Sequence, residues 1–489
     1  MNLIAAFLTE ADRRADQIAI IDRDGRRITF AQLVARSAQL SGAWRANGLR
    51  AGDTVILAMG IGIDLYVALA AAWRVGAVVV FPEPALGLRG LRHAVRMTRP
   101  KALLSSGLYR WLGWALPDLR RLPMRLSPDD HGTGPENVED VTAEHPALIS
   151  FTSGSTGLPK AIVRTHGFLA AQNACVADLL DPRGRREVDL VAFPVFVVAN
   201  LSFGVTSVLP NWNLRHHHNA DPAEIAGHMR RHGVTRALLP PSICERLCML
   251  DTLPPLGAVF TGGGPVFPDV LRRLAALLPN ADIVAVYGST EAEPIAHLYV
   301  RDITQADWTA METGGGLLAG HPIPQVALML RDDEVVVTGD HVNKGYLDPR
   351  HDADNKIAID GRNWHRTGDA ARLDDQGRLW LLGRHDARVA GLYPFTVEVA
   401  ARSWPGVVRA ALVGVDRHAV LAVEGDRSWF GDWREKAYAF ADLELVHVKA
   451  IPLDRRHRSK VDYARLQQSL RASMIFVRSA RGRVSQPTL

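Results

Sequence analysis

The sequence predicts an α/β protein built on parallel sheets, and three observations carry that prediction. Strand-like and helix-like segments alternate over residues 19–105 and again over 188–287, and such alternation feeds parallel sheets through crossover helices. The chain has 489 residues, too many for one core, so two or three packed units are expected. From about residue 310 glycines and prolines cluster and short alternating strands follow, which marks a smaller antiparallel unit.

In order, 19–30 reads as strand, turn and strand (IAIID, RDGR, ITF), followed by helix 31–46, strand 53–59, helix 63–75, strand 77–81, helix 88–97 and strand 101–105. Residues 106–145 are poorer in pattern and richer in Pro, Arg and Asp, as a connection would be. The alternation resumes with helix 167–180, strand 188–196, helix 221–232, strand 236–239, helix 242–250, strand 258–261, helix 269–278 and strand 282–287. A second parallel sheet is expected there, with ligand sites at its strand ends. VALMLR, EVVVTG and GRLWLLGR form the antiparallel unit, closed by Gly383 and Arg384. A compact α+β segment follows, with helix 397–403, strands 410–415 and 419–424, and helix 429–440. Residues 473–489 are basic and polar and read as a frayed tail.

Composition narrows the class. Hydrophobic residues make up 47% and charged residues 22%, the balance of a globular chain. The net charge of +5 is too small at this length to argue for a nucleic-acid partner. Three cysteines, Cys175, Cys244 and Cys248, build no disulfide framework and point to a reducing compartment. Cys244 and Cys248 have no neighbouring pair to complete a zinc site, so buried thiols are expected. The run His216 to His218 reads as a solvated loop. The most apolar stretch, 65–81, is interrupted by Arg74 and switches from helix to strand, so no transmembrane segment is expected.

The stretch at 149–166, ISFTSGSTGLPKAIVRTH, organises the chain. Thr152, Ser153, Gly154, Ser155, Thr156 and Gly157 offer hydroxyls and unhindered N–H groups in one short span, and consecutive N–H groups form anion-binding concavities. Lys160 adds a point charge suited to phosphate. The spacing is not that of a P-loop. A Ser/Gly turn between two strands is the plain alternative. Gly262, Gly263 and Gly264 allow backbone to approach a flat ring or an acyl chain, and a tight turn explains them nearly as well.

Four motifs in order give the chain its resemblance: TSGSTGLPK at 152–160, VYGSTEAEP at 286–294, HRTGDAARLDDQGRLWLLGR at 365–384 and RHRSK at 456–460. Together they resemble the adenylate-forming superfamily of acyl-CoA synthetases, luciferases and peptide-synthetase adenylation domains, over nearly the whole length. The resemblance implies a large N-terminal domain over 1–383, made of two parallel αβαβα-type sheets and a small β-barrel-like unit. A small mobile α+β C-terminal domain over 384–489 would turn about Asp386. It also implies an enzyme that joins a carboxylate to the α-phosphorus of ATP with Mg²⁺ and releases pyrophosphate. A cytoplasmic location is expected separately, because residues 1–17 lack a basic region followed by a long apolar core and no membrane span is read. Two anions must meet, so donors and cations have to hold the developing charge.

On that resemblance the loop 152–157 with Lys160 grips phosphate, and Gly262–Gly264, Gly288 and Ser289 line the nucleotide. Tyr287 faces adenine, Thr290 offers a hydroxyl to phosphate, and Glu291 offers oxygen to Mg²⁺. Asp369 accepts the ribose hydroxyls, Arg384 adds a ribose or phosphate contact, and Lys460 carries the first half-reaction from the C-terminal domain. Phe193, Phe196, Val197, Asn200, Phe203 and Gly204 fall where the family lines its acyl pocket, and plain core packing explains them equally well.

The acceptor is read from departures. GRHDARVAGLYPFTVE is about two residues short before Gly391, a glycine that in CoA-using members belongs to the pantetheine tunnel, while Gly391 to Glu398 keeps the family spacing. RHRSK, RAALVGV and FPVFVVANLSFG look most like the branch containing the β-lactone synthetases of olefin biosynthesis. Sequence alone ranks transfer of a fatty or other apolar acyl group to CoA or a carrier thiol first. Lactone formation by the substrate's own β-hydroxyl follows, and a nucleotide-binding regulator without chemistry comes third.

Overall fold

The computed structural model describes residues 2–82, 87–152, 159–214, 216–416, 418–454 and 460–481, without the side chains of Thr152, His218 and 473–481. Ser153 to Gly157 of the expected phosphate loop lie outside the described residues.

Two sheets dominate. The first has the order Met124–Leu126, Ala102–Ser105, Thr54–Ala58, Val78–Phe81, Pro146–Thr152, Lys160–Thr165. It is parallel except for its last pair, which runs antiparallel to the register Thr152↔Lys160. The second has fourteen strands. Its parallel part runs from Ile18–Ile21 through Thr206–Val208, Val188–Val191, Arg236–Leu239 and Ala258–Gly262 to Asp282–Ser289. Beyond that strand the pairing turns antiparallel. Ala292–Tyr299 and Leu317–Pro322 join it to Leu379–Arg384, Arg362–Leu373, Glu334–Thr338 and Ala327–Arg331. The antiparallel unit is thus hydrogen-bonded into the second sheet.

Local rules explain the elements that position the site. The helix Ile63–Val75 is buried at all but one of its positions, as an all-round apolar helix must be, and Gly76 stops it at φ 75° with its N–H on the carbonyls of Ala72 and Trp73. The strand expected over 188–196 ends instead at Val191. Pro194 opens the helix Pro194–Phe203, because its fixed φ suits the first helical turn, and Gly204 closes it at φ 68°. The first turn of that helix carries Phe193 and Phe196 to one wall of a cleft, while Asn200 points the other way. Asn200 is fully buried and donates to Asp189 (3.1 Å) and Ser207 (3.1 Å). Asp189 in turn receives both Nε and Nη2 of Arg236 at 2.8 and 2.9 Å. A buried pair of this kind needs its remaining lone pairs filled, which is the work Asn200 does.

The C-terminal α+β segment is a three-stranded sheet, Val407–Val415, His418–Gly425, Glu444–Val448. The helices Pro394–Ala401, Phe430–Tyr438 and Tyr463–Arg481 flank it, so a helix extends to Arg481 where a tail was expected from 473. Its two cores centre on Trp433 and Leu421 on one face and on Val420 and Leu466 on the other.

Inside this segment Glu398 is buried, accepting from the Leu412 N–H (2.8 Å) and, with both oxygens, from the Tyr463 hydroxyl (2.9 Å each). Burial pushes its carboxyl from 4.5 up to about 7, against the pull of those bonds. The folded state therefore holds this proton more tightly than the unfolded chain. The stability it contributes is complete below about pH 4.5 and is lost as pH rises through about 7. Glu398→Gln keeps the volume without the charge. At pH 8 it should be more stable than the parent by about 3 kcal/mol, and near pH 4 the two should melt together. A constant difference across that window in thermal melts would contradict the assignment.

Candidate active site

A cleft of about 2400 Å³ opens between the two large sheets and the C-terminal segment. Its walls bring together Lys160, Gly263, Gly264, Tyr287, Gly288, Ser289, Thr290, Glu291, Asp369, Arg384 and Lys460. Four separate motifs, spread over three hundred residues of sequence, thus meet in one place.

The motif 286–294 is a hairpin: the strand Asp282–Ser289 turns through Thr290 and Glu291 into Ala292–Tyr299. The turn is pinned from three sides. Arg164 Nη2 donates to the Thr290 carbonyl (2.7 Å), the Asn343 N–H to the Glu291 carbonyl (2.7 Å), and Gln172 Nε2 to the Glu293 carbonyl (3.2 Å). The Tyr346 hydroxyl donates to Glu291 Oε1 at 2.9 Å, and the Lys160 ammonium lies 5.5 Å from the centre of the Tyr346 ring.

Asp369 lies within the long strand Arg362–Leu373, where an irregularity of register follows Ala370. Arg384 is its direct cross-strand partner. Arg384 Nη1 donates to Asp369 Oδ1 (2.9 Å) and to the Thr367 carbonyl (2.9 Å), and the Tyr287 hydroxyl donates to Asp369 Oδ2 (2.8 Å). Gly368 adopts φ 70°, and a Cβ there would collide with the Arg384 guanidinium. Burial, and then the Asp369 charge, push the Tyr287 phenol well above its ordinary value, so it stays a donor.

Lys460 reaches the cleft from the C-terminal segment. Its backbone is tied to Asp454 at both ends, N–H to Oδ1 (3.0 Å) and carbonyl from the Asp454 N–H (2.8 Å). Its side chain is exposed. Burial raises the nearby Glu293 carboxyl, and Arg164 and then Lys460 draw it back down. The segment is held by ionic contacts across the cleft. Arg402 donates to Asp269 (3.0 and 2.6 Å) and Glu245 (3.3 Å), Arg409 donates to Glu245 (2.7 Å), and the Arg402 guanidinium stacks 4.5 Å over Phe267. Asp386 is exposed in the turn His385–Ala387 that links the two parts.

The remaining residues divide. Phe193 and Phe196 meet edge to face at 6.0 Å on the cleft wall. Phe203 packs away from it against the cluster around Leu180 and Phe260, and Val197 and Asn200 are buried in the core. The acyl-pocket expectation is therefore corrected at Phe203, Asn200 and Val197, because a helix presents only one face to the cleft. Gly204 is the stop of that helix. Gly262 serves close strand packing, since a Cβ there would sit 2.5 Å from the Val286 carbonyl oxygen. Cys175 and Cys244 are buried, and burial pushes their thiols to about 11 and about 12. Among the described residues no helix is long and apolar enough to cross a membrane.

Sequence reasoning missed Tyr346, Arg164, Lys356 and His365. Tyr346 reaches Glu291 across 55 residues of chain, and no local spacing marks such a pair. Lys356 lies 5.8 Å from the centre of the Tyr346 ring and donates to the Asn343 carbonyl. Burial lowers its ammonium to about 8, although Glu291 and Asp352 raise it.

Comparison with known proteins decides the family. The model of the AMP-binding enzyme family matches residues 7–347. This chain belongs to the AMP-binding enzymes. It is 29% identical to an olefin beta-lactone synthetase of Xanthomonas campestris pv. campestris, over 95% of this chain and 96% of that one. It is 27% identical to a 2-succinylbenzoate–CoA ligase of Bacillus licheniformis, over 83% of this chain and 85% of that one. Its fold matches ATP-bound MatB from Rhodopseudomonas palustris with a TM-score of 0.79 at 22% identity, over 96% and 99% of the two chains. It is thus an adenylate-forming enzyme with the two-domain α/β architecture of that group.

The cleft is rich in cations, with Lys160, Arg164, Arg384 and Lys460 on its walls, and Lys356 lies 5.8 Å from the centre of the Tyr346 ring that holds Glu291. As pH rises through about 8, Lys356 loses its proton. The affinity for ATP should then fall about threefold between pH 7 and pH 9 at low salt. Lys356→Arg, which keeps its charge, should flatten that change. An equal fall in both proteins, measured by equilibrium titration, would remove Lys356 from the account.

Proposed function

We propose that this protein joins an apolar carboxylic acid to AMP and passes the acyl group to the acid's own β-hydroxyl, giving a β-lactone. The first half rests on one observation above all: Lys460, from the C-terminal segment, shares the cleft with Thr290, Glu291, Asp369 and Arg384. The carboxylate oxygen attacks the α-phosphorus, and the bond to the bridging oxygen breaks. Pyrophosphate leaves with the electron pair. Asp369 takes the ribose hydroxyls, held by Arg384 and Tyr287. Lys160 and the Thr290 hydroxyl are donors to the polyphosphate from the cleft wall, and the expected phosphate loop 152–157 shares that role. The Lys460 ammonium neutralises the carboxylate as it meets the phosphate, a preorganised charge worth orders of magnitude in rate.

The residues present also fit Mg²⁺. Buried oxygens at the cleft wall, Ser289 Oγ, Ser150 Oγ and Asn173 Oδ1, have no hydrogen-bond partner among the described residues, and Glu291 supplies a carboxylate held by Tyr346. A hard cation bound by one carboxylate and substrate phosphates is the ordinary Mg²⁺ arrangement, and it would supply charge neutralisation to the phosphates. Phe193 and Phe196 give the acyl group an apolar wall.

In the second half the hydroxyl oxygen attacks the acyl carbon, AMP departs with the electrons of the broken bond, and the hydroxyl proton passes to solvent. Sequence alone ranks thioester formation ahead of this route. Two observations support the reverse order. The likeness to the olefin beta-lactone synthetase spans the C-terminal segment as well, whereas the 2-succinylbenzoate–CoA ligase matches a smaller share of the chain. The connection before Glu398 is a minimal turn, Val389 to Leu392, closed by mutual hydrogen bonds of 2.8 and 2.9 Å with Ala390 and Gly391 both at positive φ.

Lys460→Ala should lower acid-dependent pyrophosphate exchange at least about a hundredfold while leaving ATP binding within a few fold. Exchange at the parental rate would refute the assignment. Tyr346→Phe should raise the Mg²⁺ needed for half-maximal rate about fivefold, the loss of one hydrogen bond, and an unchanged requirement would contradict its role. With ATP, Mg²⁺ and a β-hydroxy fatty acid, mass analysis should find a product one water lighter than the acid without CoA. A product formed only with CoA, and carrying it, would establish the thioester instead.

A further inference from the structure

We propose that the surface made by the helix Gly87–Thr98 and residues 107–125 docks onto an anionic lipid bilayer. Residues 87–125 hold nine Arg and Lys against one Asp, so a chain of net charge +5 carries +8 in this segment and −3 in all the rest. The same segment holds five of the eleven exposed large hydrophobic side chains among the described residues. Leu108 is 84% exposed, Trp111 71%, Trp114 74%, Leu88 51% and Tyr109 38%. Leu108, Trp111 and Trp114 are spaced by three through the helical turns Gly107–Trp111 and Leu112–Ala115, which places them along one face.

Single exposed hydrophobics are ordinary, but tryptophans grouped with arginines match the boundary between headgroups and acyl chains. The one acidic residue, Asp118, is shared by Arg92 (2.8 Å) and Arg96 (3.8 Å), and Arg110 pairs with Asp129. Arg89, Arg99, Arg120 and Arg121 are exposed beyond those pairs. Charge selects the occupant. A second copy of the chain would set arginine against arginine, whereas an anionic leaflet attracts every one of them. The surface also continues into the cleft, since Leu88, Leu108 and Tyr109 line the same cleft as Phe193 and Phe196. If the acid is the apolar one proposed above, it passes from the bilayer to the cleft along this rim. The docking itself does not depend on that reading.

The test uses the full chain without substrate, sedimented with vesicles of phosphatidylglycerol and phosphatidylcholine or of phosphatidylcholine alone. Binding is expected on the anionic vesicles only, weakening as salt rises. Trp111→Ser with Trp114→Ser should weaken it about tenfold, and Arg89→Glu with Arg96→Glu should abolish the preference for the anionic lipid. Activity on a short, water-soluble acid, measured in parallel, should be unchanged in the tryptophan variant and so shows that it is folded. Absence of binding to anionic vesicles at low salt would overturn the proposal. So would binding that the tryptophan variant retains, or a dimer that this variant dissociates in a protein that ignores vesicles.

Discussion

The ion cluster of Arg402 and Arg409 with Asp269 and Glu245 is the contact on which the rest of the site depends. Lys460 belongs to a segment with its own sheet and its own cores, so where its ammonium lies is set by how that segment docks. Val399 and Phe395 pack into the core that also holds Leu317 and Leu381, and the cluster adds the polar part of the contact. Arg402 is nearly buried, bridges two carboxylates of the large domain and rests on the face of Phe267, while Phe267 meets Phe395 edge to face at 6.3 Å. Asp269 and Arg409 stay partly open to water. Such pairs are worth little singly, and their strength here comes from geometry and shared partners.

The nucleotide side is built by contrast on rigid pairing. Asp369 and Arg384 face each other across adjacent strands, Tyr287 comes from a third element of the same sheet, and Glu291 sits at the tip of a hairpin held by Arg164 and Asn343. Continuity of the antiparallel unit with the parallel sheet is what brings these together. The bridge is the short pairing of Ala296 with Pro322 and His297 with His321. A preorganised half and a docked half thus meet at the cleft, which suits a reaction in which two anions are forced together.

Much of this was legible in the sequence where local chemistry decides the structure. The helix Ile63–Val75 follows from an apolar run ended by glycine, and the strand Arg236–Leu239 from a short apolar run between turns. The motif residues could be named because their order and spacing resemble a family. What was hidden is what depends on contacts between distant segments. Pro194 could end a strand or open a helix, and only packing shows that it opens one, which turns Asn200 from a pocket residue into the partner of Asp189. The Tyr346 contact with Glu291 has no signature in spacing. Asp369 and Arg384 could both be proposed for the ribose, yet their direct cross-strand pairing emerges only from the register.

In the proposed reaction a carboxylate oxygen of the acid becomes bonded to the α-phosphorus of ATP in this cleft. Supplying the acid with heavy-isotope oxygen in its carboxylate and analysing the nucleotide product by mass tests it directly. The expected nucleotide is AMP carrying one labelled oxygen, with unlabelled pyrophosphate. Label in a released phosphate, with ADP as the nucleotide product, or unlabelled AMP, would contradict it.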